Sequence, residues 1–336
     1  MDEYLTALDL ELRRIVVSPD RAHDAYYGMF RYHLGWVDAQ FVQVTTHPGK
    51  RIRPLLCLLS CAAVGGNWRS AVLAAAAIEL AHNFSLIHDD IEDQSDERRG
   101  RAAVWKVWGI AQGLNAGDGM FVLARLALDR MHEYSISIAK CAAISHVLDA
   151  ATLAICHGQF LDLGFESRLD VTIDEYMQMI CGKTAALISA ATHIGAMVGT
   201  DDDTLIRAFT QFGENIGMAF QITDDILGIW GDPSVTGKSA ASDILSKKKS
   251  LPAIYGLNHP QHGEALRAIY RQPRVEQADV ARVLALLDAA GAREYAQQQA
   301  DEFRAAALAA LDATQIENRA MDQLREVAGA MTKRVR

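Results

Sequence analysis

The stretch that decides the fold is AVLAAAAIELAHNFSLIHDDIED, residues 71–93, where small and aliphatic side chains run directly into a cluster of acids. Alanine, leucine and isoleucine tolerate a helix well, and no glycine or proline interrupts them. We expect one helix near 69–93. A turn at Gly65–Asn67 separates it from another predicted helix near 50–64.

Proline placement extends this interpretation to the rest of the chain. No proline occurs between Pro54 and Pro233, and Ala, Leu, Ile, Met and Gln dominate the interval. Proline breaks helix interiors, so its absence permits a run of long helices. Alternation of period two is scarce. The pattern predicts an all-α protein, a single domain over residues 1–336 with roughly ten or more helices.

Local signals place several helix ends. The Gly113–Gly119 stretch predicts a break before a helix beginning around Asp118, and Gly231–Ser250 reads as a loop. A loop over Ser167–Asp174 contains Thr172, a candidate N-cap, with Glu175 three residues later to complete a capping box.

Two further signals complete the outline of the helices. The run Thr200–Asp203 favours a helix start, and the chain from about residue 275 is rich in Ala, Glu and Arg and is predicted to be helical.

Composition excludes several classes of protein. The chain has 336 residues, of which 50% are hydrophobic and 22% charged, as in ordinary globular proteins. Its net charge of -9 argues against general nucleic-acid binding. The N-terminus lacks a signal-peptide pattern, and the apolar run Ala71–Ala81 contains Glu79 and is too short to span a bilayer. We expect a cytoplasmic protein without an integral membrane segment.

Cysteine usage points the same way. The five cysteines are odd in number and form no C-x-x-C pair, so neither a disulfide framework nor a zinc knuckle is indicated. Cys57 and Cys61 could share a helix face, and we interpret them as small core residues.

The chemistry is predicted from two acidic groups far apart in sequence. Asp89, Asp90 and Asp93 close the first apolar segment, and Asp224 and Asp225 follow a second one. Burying an unpaired carboxylate costs several kcal/mol, so such groups are usually paired or bound to a metal. Carboxylates at i and i+4 share a helix face, and Mg²⁺ prefers a few carboxylates together with phosphate oxygens.

Basic residues flank both acidic groups. Lys50, Arg51 and Arg53 lie at the start of a predicted helix, where backbone N–H groups add to the attraction for phosphate. Others follow the acidic groups or lie within helical runs: Arg98, Arg99, Lys183, Lys238 and Lys248. Any one of them alone is most simply a solvated surface charge. Together they indicate that Mg²⁺ screens one diphosphate while Arg and Lys bind another.

In this order and spacing, the motifs from about Gly49 to Pro252 resemble those of the trans-isoprenyl (polyprenyl) diphosphate synthases. The resemblance implies a helical bundle around a central active-site cavity, a homodimer, and head-to-tail condensation of isopentenyl diphosphate with an allylic diphosphate. It also implies three Mg²⁺ held by both acidic groups: Asp89, Asp90, Asp93, Asp224 and Asp225.

The resemblance also assigns roles to other residues. Isopentenyl diphosphate would be bound by Lys50, Arg53, His82 and Arg99, with Arg51 in the same motif. The allylic diphosphate would be held by Arg98, Lys183 and Lys238. Thr184 and Gln221 would face the reacting carbons, Lys248 matches a further family lysine, and the role of Gln159 in Gly158–Asp162 is less defined.

Three positions depart from the family pattern. Gly228 stands where the second motif usually has a further Asp, and Asp232 is a candidate replacement. Arg101–Ala103 replaces the usual x-Pro-Thr after Gly100. Ala241 replaces a usual Gly. These departures bear on rate and product more than on the class of reaction.

Product length in this family depends on side chains just before the first acidic motif. Phe84 and Ser85 stand there, which resembles the pattern of enzymes that make geranylgeranyl diphosphate (C20). A C15 or C25 synthase is an alternative. So are a class I terpene cyclase, which needs no second diphosphate site, and a non-catalytic subunit of a heteromeric synthase, which would be expected to lose acidic ligands.

Overall fold

The computed structural model describes residues 1–44, 46, 49–231 and 241–333. The prediction of an all-α fold is confirmed. The N-terminal helices are α1 Asp2–Ile15, α2 Asp24–His33, α3 Ile52–Ala63, α4 Val72–Glu92, α5 Val104–Trp108, α6 Ile110–Asp129 and α7 Ile138–Phe165. They are followed by α8 Ile173–Ile180, a π-helical turn Cys181–Ala185, α9 Ala186–Gly199 and α10 Asp203–Trp230. The C-terminal helices are α11 Ser242–Leu245, α12 Leu251–Leu257, α13 Gly263–Tyr270, α14 Gln277–Ala289, α15 Ala292–Asp312 and α16 Arg319–Met331.

The chain forms two compact units. Unit 1 comprises Met1–Ala150, Ala190–Ile206 and Asn318–Met321, and unit 2 comprises Ala151–Ser189, Arg207–Glu317 and Asp322–Arg336. The prediction of one domain over the whole chain stays a prediction.

Helix α4 forms the centre of unit 1. Every residue from Val72 to Ala81 is buried, and α1, α3 and α6 pack around it. A helix that is apolar on all faces is stable only inside a protein, which explains why the stretch that opened the sequence lies in the core. The predicted start near residue 69 corresponds to a short 3₁₀ turn, Trp68–Ala71, that leads into α4.

The predicted break at Gly113–Gly119 is wrong, because α6 continues through all of these glycines. A Cβ at Gly117 would lie 2.2 Å from His88 Nε2, and one at Gly113 would lie 2.8 Å from Ile91 Cδ1. The glycines therefore allow α6 to approach α4 closely rather than ending the helix.

Unit 2 has its own core. Large buried side chains from α8, α10 and the neighbouring segments pack together, among them Tyr176, Ile222 and Leu251. The predicted capping box is confirmed, since Glu175 N donates to Thr172 Oγ1 (3.2 Å) and Thr172 N donates to Glu175 (2.8 Å). These bonds satisfy backbone donors at the start of α8.

Two other helix predictions are also confirmed. Asp202 accepts from the backbone of Thr204 (2.7 Å) at the start of α10, and the chain beyond residue 275 is helical. The stretch Gly231–Ser250 is described only in part, and its described portion contains the single turn α11, which a loop prediction does not include.

A small antiparallel ribbon follows α4. Strands β1 Glu97–Arg98 and β2 Arg101–Ala102 pair, and the two residues between them, Arg99 and Gly100, both have positive φ of 55° and 71°. Positive φ at both central residues matches the twist of paired strands in tight hairpins. The ribbon fixes where the adjacent arginines Arg98 and Arg99 lie.

Candidate active site

The first acidic group lies at the C-terminal end of α4 in unit 1. Carbonyl groups give this end of a helix partial negative charge, so acidic side chains here are unfavourable unless cations approach. Asp90 is only 1% exposed and accepts from Arg98 Nε (2.8 Å), while Arg98 Nη2 also donates to Asp89 Oδ2 (3.0 Å). Burial raises the pKa of Asp90, and the pairing with Arg98 opposes this shift.

The other acids of this group are more accessible. Asp93 and Glu92 are exposed at the helix end, and Asp89 is half-buried. The buried Asp90 Oδ2 has no hydrogen-bond partner. The group thus combines an unsatisfied carboxylate oxygen with two more accessible carboxylates one helical turn apart, half-buried Asp89 and exposed Asp93. This arrangement suits a hard divalent cation.

A basic group of side chains lies where α3 and α4 come together, before the first acidic group in the sequence. Arg53 Nη1 lies 3.3 Å from His82 Nε2, and burial with nearby arginines holds the pKa of His82 well below its usual value. His82 is therefore neutral, and its Nε2 accepts from Arg53, which leaves Nδ1–H as a donor. Burial also lowers the pKa of Arg53 to about 10, which keeps it charged at neutral pH.

Arg99 belongs to the same basic group. Its guanidinium lies beside Gly49, because a Cβ added to that glycine would be 3.3 Å from Arg99 Cζ. Its Nη2 donates to Asn83 Oδ1 (3.4 Å). Asn83 in turn donates to the buried Glu79 (3.1 Å). Arg53, His82 and Arg99 thus present several N–H donors around Glu79, which favours binding of an anion.

The two basic residues before Arg53 in the sequence differ in their surroundings. Lys50 is exposed. Arg51 has φ 45° and turns away at the start of α3, where its Nη2 donates to Asp9 Oδ1 in α1 (2.9 Å). The described contact of Arg51 is therefore with another helix, and its place in a substrate-binding group stays a prediction.

The departure at Arg101–Ala103 has a structural explanation. Arg101 donates to the carbonyls of Tyr32 (3.0 Å) and Val37 (2.6 Å), and Tyr32 Oη donates to the Ala102 carbonyl (2.8 Å). These bonds attach the ribbon to the end of α2 and to the segment after it, so the ribbon is held without the usual Pro-Thr.

The candidate chain-length residues lie one turn before the first acidic group. Phe84 is 8% exposed, and its ring lies 5.2 Å from that of Phe121 in α6 and 5.7 Å from that of His88. Ser85 Oγ donates to the His82 carbonyl (2.8 Å). Sequence reasoning missed Phe121, because nothing local pairs it with Phe84, although the glycines of α6 could have indicated close approach.

The second acidic group lies in α10 of unit 2, and its two members differ. Asp225 is 1% exposed and is fully hydrogen-bonded. Its Oδ2 accepts from Tyr176 Oη (2.6 Å) and Leu251 N (3.0 Å), and its Oδ1 accepts from Gln221 Nε2 (3.0 Å) and Lys248 Nζ (3.0 Å). Asp224 is half-buried and so remains the more accessible carboxylate. Four donors leave Asp225 little capacity to bind a metal directly.

Other predicted site residues of unit 2 lie around α10. Thr184 Oγ1 donates to Gln221 Oε1 (2.7 Å), so Gln221 connects Thr184 with Asp225. Lys183 Nζ donates to Asp162 Oδ2 (2.6 Å) in the Gly158–Asp162 motif. A Cβ at Gly158 would lie 2.2 Å from Lys183 N, which requires glycine where α7 meets the π-helical turn.

Charge and packing at Lys248 depend on two acids. Its Nζ lies 3.0 Å from Asp225 Oδ1 and 3.6 Å from Asp243 Oδ2, and these carboxylates raise its pKa despite burial. Lys238 and Asp232 lie outside the described residues.

The acids suit a divalent metal only with help from a ligand. Among the described residues, no group of three or more His, Cys, Asp or Glu side chains could by itself hold a metal ion. Magnesium commonly binds through one or two carboxylates, water and substrate phosphates. The exposed carboxylates and the unsatisfied Asp90 oxygen fit that mode, in which diphosphate completes the coordination.

Comparisons with known proteins agree with this geometry. The polyprenyl synthetase family model matches residues 35–287. The chain is 40% identical over 287 residues to a geranylgeranyl diphosphate synthase from Mycobacterium tuberculosis, covering 84% of this chain and 80% of that protein. It is 39% identical over 277 residues to a (2E,6E)-farnesyl diphosphate synthase from Mycobacterium bovis, covering 80% and 75%.

Solved structures are similar over nearly the whole chain. A polyprenyl synthetase from Streptomyces coelicolor has a TM-score of 0.90 and 34% identity, covering 99% of this chain and 98% of that one. A geranylgeranyl pyrophosphate synthase from Corynebacterium glutamicum, complexed with isoprenyl diphosphate and magnesium, has a TM-score of 0.80 and 29% identity, covering 99% and 97%.

Proposed function

We propose that this chain, which belongs to the polyprenyl synthetase family and is a prenyltransferase, condenses isopentenyl diphosphate head-to-tail with an allylic diphosphate and releases a C20 product. The observation that carries the proposal is the basic group of unit 1. Arg53 and Arg99 lie beside a neutral His82 and the buried acid Glu79. A diphosphate satisfies such a group, and a cyclase would have no use for it.

Different side chains bind the two substrates. Lys50, Arg53, His82 and Arg99 bind isopentenyl diphosphate and keep its double bond in a fixed position. Arg98, Lys183 and Lys238 hold the allylic diphosphate as its C–O bond breaks. Mg²⁺ bound at the more accessible carboxylates of each acidic group would supply positive charge that stabilises the leaving diphosphate. Three such ions belong to this proposal.

The remaining steps need no protein nucleophile. The double bond of isopentenyl diphosphate attacks the allylic carbon, a C–C bond forms, and a proton leaves to the departing diphosphate. Thr184 and Gln221, joined by a 2.7 Å hydrogen bond, would face the reacting carbons and direct a carbonyl or hydroxyl dipole at the developing cation. The walls of the site would have to exclude water, which would otherwise capture the cation.

Substitution at Asp89 tests the class of reaction. Asp89→Ala should reduce condensation of isopentenyl diphosphate with geranyl diphosphate by at least about a thousandfold, because charge stabilisation of the leaving group contributes several kcal/mol. Exposed Glu302→Ala, on α15, is the matched control and should retain activity. Turnover by Asp89→Ala at the wild-type rate would contradict the proposal.

The C20 product is proposed from Phe84. Its buried ring, held against Phe121, would stop an elongating chain that extends from the first acidic group. Phe84→Ala removes this barrier and should shift products beyond C20, whereas Phe84→Leu should shift them less. Chromatography of dephosphorylated products measures the outcome, and unchanged lengths in Phe84→Ala would contradict the assignment. Because one similar protein is a (2E,6E)-farnesyl diphosphate synthase, the product length of the wild type should be measured first.

We also propose a cytoplasmic homodimer. Apolar side chains are exposed on α6 at Ile110, Leu114, Val122 and Leu126, and on α7 Phe160 is 76% exposed. Helix α7 is long and apolar enough by composition to cross a membrane, and most residues of its most apolar part are not buried within the chain. A second copy of the chain would cover these faces with the same apolar side chains.

The oligomeric state can be measured by light scattering after gel filtration. The wild type should have twice the chain mass of 36.8 kDa. Leu126→Glu and Phe160→Glu should produce monomer, whereas the exposed polar change Gln298→Glu should not. A wild-type mass of one chain, or dimers in both apolar variants, would contradict the proposal.

A further inference from the structure

The residue that begins α3 has an unusual backbone conformation. Arg51 has φ 45° and ψ 40°, and its carbonyl accepts the first hydrogen bond of the helix, from Leu55 N (3.2 Å). A residue in this position is usually extended and has a short polar side chain that accepts from the helix N–H groups. Arg51 makes no such side-chain bond. Because the left-handed conformation is unfavourable for a residue with a Cβ, another interaction must hold it.

An ion pair with α1 supplies that interaction. Arg51 Nη2 donates to Asp9 Oδ1 (2.9 Å), and the Arg51 side chain is only 6% exposed. Asp9 is oriented in turn by Arg13 Nε, which donates to its other oxygen, Oδ2 (2.7 Å). Helix α1 is itself fixed by the fully buried side chains of Leu8 and Leu12. The carboxylate of Asp9 is therefore a fixed acceptor that holds the Arg51 side chain against α1.

The conformation of Arg51 also affects the two residues before it. Gly49 has φ 83°, so left-handed residues flank the exposed Lys50 on both sides. A Cβ added to Gly49 would lie 3.3 Å from Arg99 Cζ. A change of φ at Arg51 would rotate the Gly49–Lys50 segment about the start of α3 and move it away from Arg99. The conformation of Arg51 thus determines where Lys50 lies relative to the rest of the basic group.

We propose that Asp9 is a positioning residue for isopentenyl diphosphate. It holds Arg51 in the left-handed conformation and so keeps the Gly49–Lys50 segment beside Arg99, whereas the guanidinium of Arg51 is not a ligand of the diphosphate. This inference rests on the proposed function, in which Lys50 and Arg99 bind that substrate. Apparent affinity falls in proportion to the fraction of protein that is in the binding-competent conformation. Loss of the ion pair should therefore weaken binding of isopentenyl diphosphate and leave binding of the allylic diphosphate, which uses other residues, nearly unchanged.

Two substitutions at position 51 separate backbone conformation from charge. Both remove the guanidinium, but Arg51→Ala keeps a Cβ that disfavours positive φ, whereas Arg51→Gly adopts positive φ readily. At saturating geranyl diphosphate, Arg51→Ala should raise the KM for isopentenyl diphosphate about tenfold, as expected when about a tenth of the protein is competent. Arg51→Gly should raise it only about twofold, because glycine populates positive and negative φ about equally. A guanidinium that bound the diphosphate directly would make the two variants equal.

Substitution of Asp9 tests the other half of the ion pair. Asp9→Ala should raise the KM for isopentenyl diphosphate about tenfold and leave kcat and the KM for geranyl diphosphate near their wild-type values. The double variant Asp9→Ala/Arg51→Gly should match Arg51→Gly alone, because glycine does not need the ion pair. Glu3→Ala removes the ion pair of α1 with Arg69, so it is the matched control and should keep all wild-type constants. A merely structural role would lower Tm without separating the two substrates.

Isothermal titration calorimetry with isopentenyl diphosphate should give the same order of affinities without turnover. A wild-type affinity in Asp9→Ala, or equal affinities in Arg51→Ala and Arg51→Gly, would overturn the inference. If Asp9→Ala does not fold, the two variants at position 51, which leave no buried charge behind, carry the test. A wild type that shows this order of affinities but forms no condensation product would contradict the proposed function alone. An active wild type whose affinity does not depend on Asp9 would contradict the inference alone.

Discussion

Replacing each of the adjacent acids Asp224 and Asp225 by alanine should affect stability and activity differently. Asp225 accepts hydrogen bonds from Tyr176, Leu251, Gln221 and Lys248. Asp225→Ala therefore leaves a buried phenol and a buried backbone N–H without their acceptor, and it removes the nearer carboxylate of the half-buried Lys248 ammonium. Asp224→Ala removes a half-buried carboxylate.

The expected magnitudes separate the two variants clearly. A buried donor that loses its acceptor costs about 1–3 kcal/mol, and breaking a buried ion pair by removing one partner costs about 3–5 kcal/mol. These terms overlap, so we expect Asp225→Ala to lose about 3–5 kcal/mol of unfolding free energy. At about 2–4 °C per kcal/mol, Tm should fall by on the order of 10 °C. Asp224→Ala should cost about 1 kcal/mol or less.

Urea unfolding followed by circular dichroism, together with the condensation assay, measures both effects. Asp224→Ala should unfold near the wild-type midpoint yet lose most of its activity. Asp225→Ala should lose both, and Asp225→Asn, which keeps acceptor oxygen but not charge, should fall between alanine and wild type in stability. Equal unfolding midpoints for the two alanine variants would refute the distinction between a supporting acid and a metal-facing one.

Three further outcomes follow from single positions. Burial and nearby arginines lower the pKa of His33 from 6.5 to about 3, so the folded protein holds it neutral. The contribution of His33 to stability is complete above pH 6.5 and falls by about 2 kcal/mol at pH 5. The loss of stability between a pH above 6.5 and pH 5, measured from urea midpoints, should therefore be smaller in His33→Gln than in the wild type, in which His82 also contributes. Ala241 has φ 57°, so Ala241→Gly should raise stability by up to about 1 kcal/mol, whereas Ala253→Gly within a helix should lower it by about 1 kcal/mol. Phe121→Ala should lengthen the product as Phe84→Ala does, because the two rings pack together.

Each of these outcomes has an observation that would contradict it. For pH, His33→Gln with the same loss of stability at pH 5 as wild type would assign the effect to other groups. For the left-handed position, a lower urea midpoint in Ala241→Gly would show that the strain is compensated. For the aromatic pair, an unchanged product from Phe121→Ala beside a longer product from Phe84→Ala would show that Phe84 acts alone.

Local signals predicted the parts of the fold that local interactions determine. The capping box of Thr172 and Glu175 needs only four consecutive residues, so it could be predicted without a partner. The glycines of α6 could not, because their meaning depends on whether a neighbour occupies the space left by the missing Cβ. His88 fills that space at Gly117, and it is 29 positions earlier in the sequence.

In the candidate active site, too, sequence alone did not predict which side chains face a ligand. Arg51 and Arg53 stand two residues apart in one basic motif, and their charges alone do not distinguish them. The left-handed conformation of Arg51 at the start of α3 directs its guanidinium to Asp9, whereas Arg53 lies against His82. A sequence motif shows which charged residues are close along the chain. The backbone conformation determines which of their side chains can contact a ligand.

The acidic pair in α10 shows why neighbours in a motif need not share a role. Successive helical residues are rotated by about 100°, so Asp224 and Asp225 cannot face the same surroundings. The face of Asp225 is covered by Tyr176 from α8 and by the first N–H of α12, groups that lie far away in sequence. Their donors satisfy one carboxylate completely and hold α10 in register with its neighbours. The other carboxylate, that of Asp224, is thereby presented on a fixed helix, and such rigidity would suit it to the role of direct metal ligand that we propose for it.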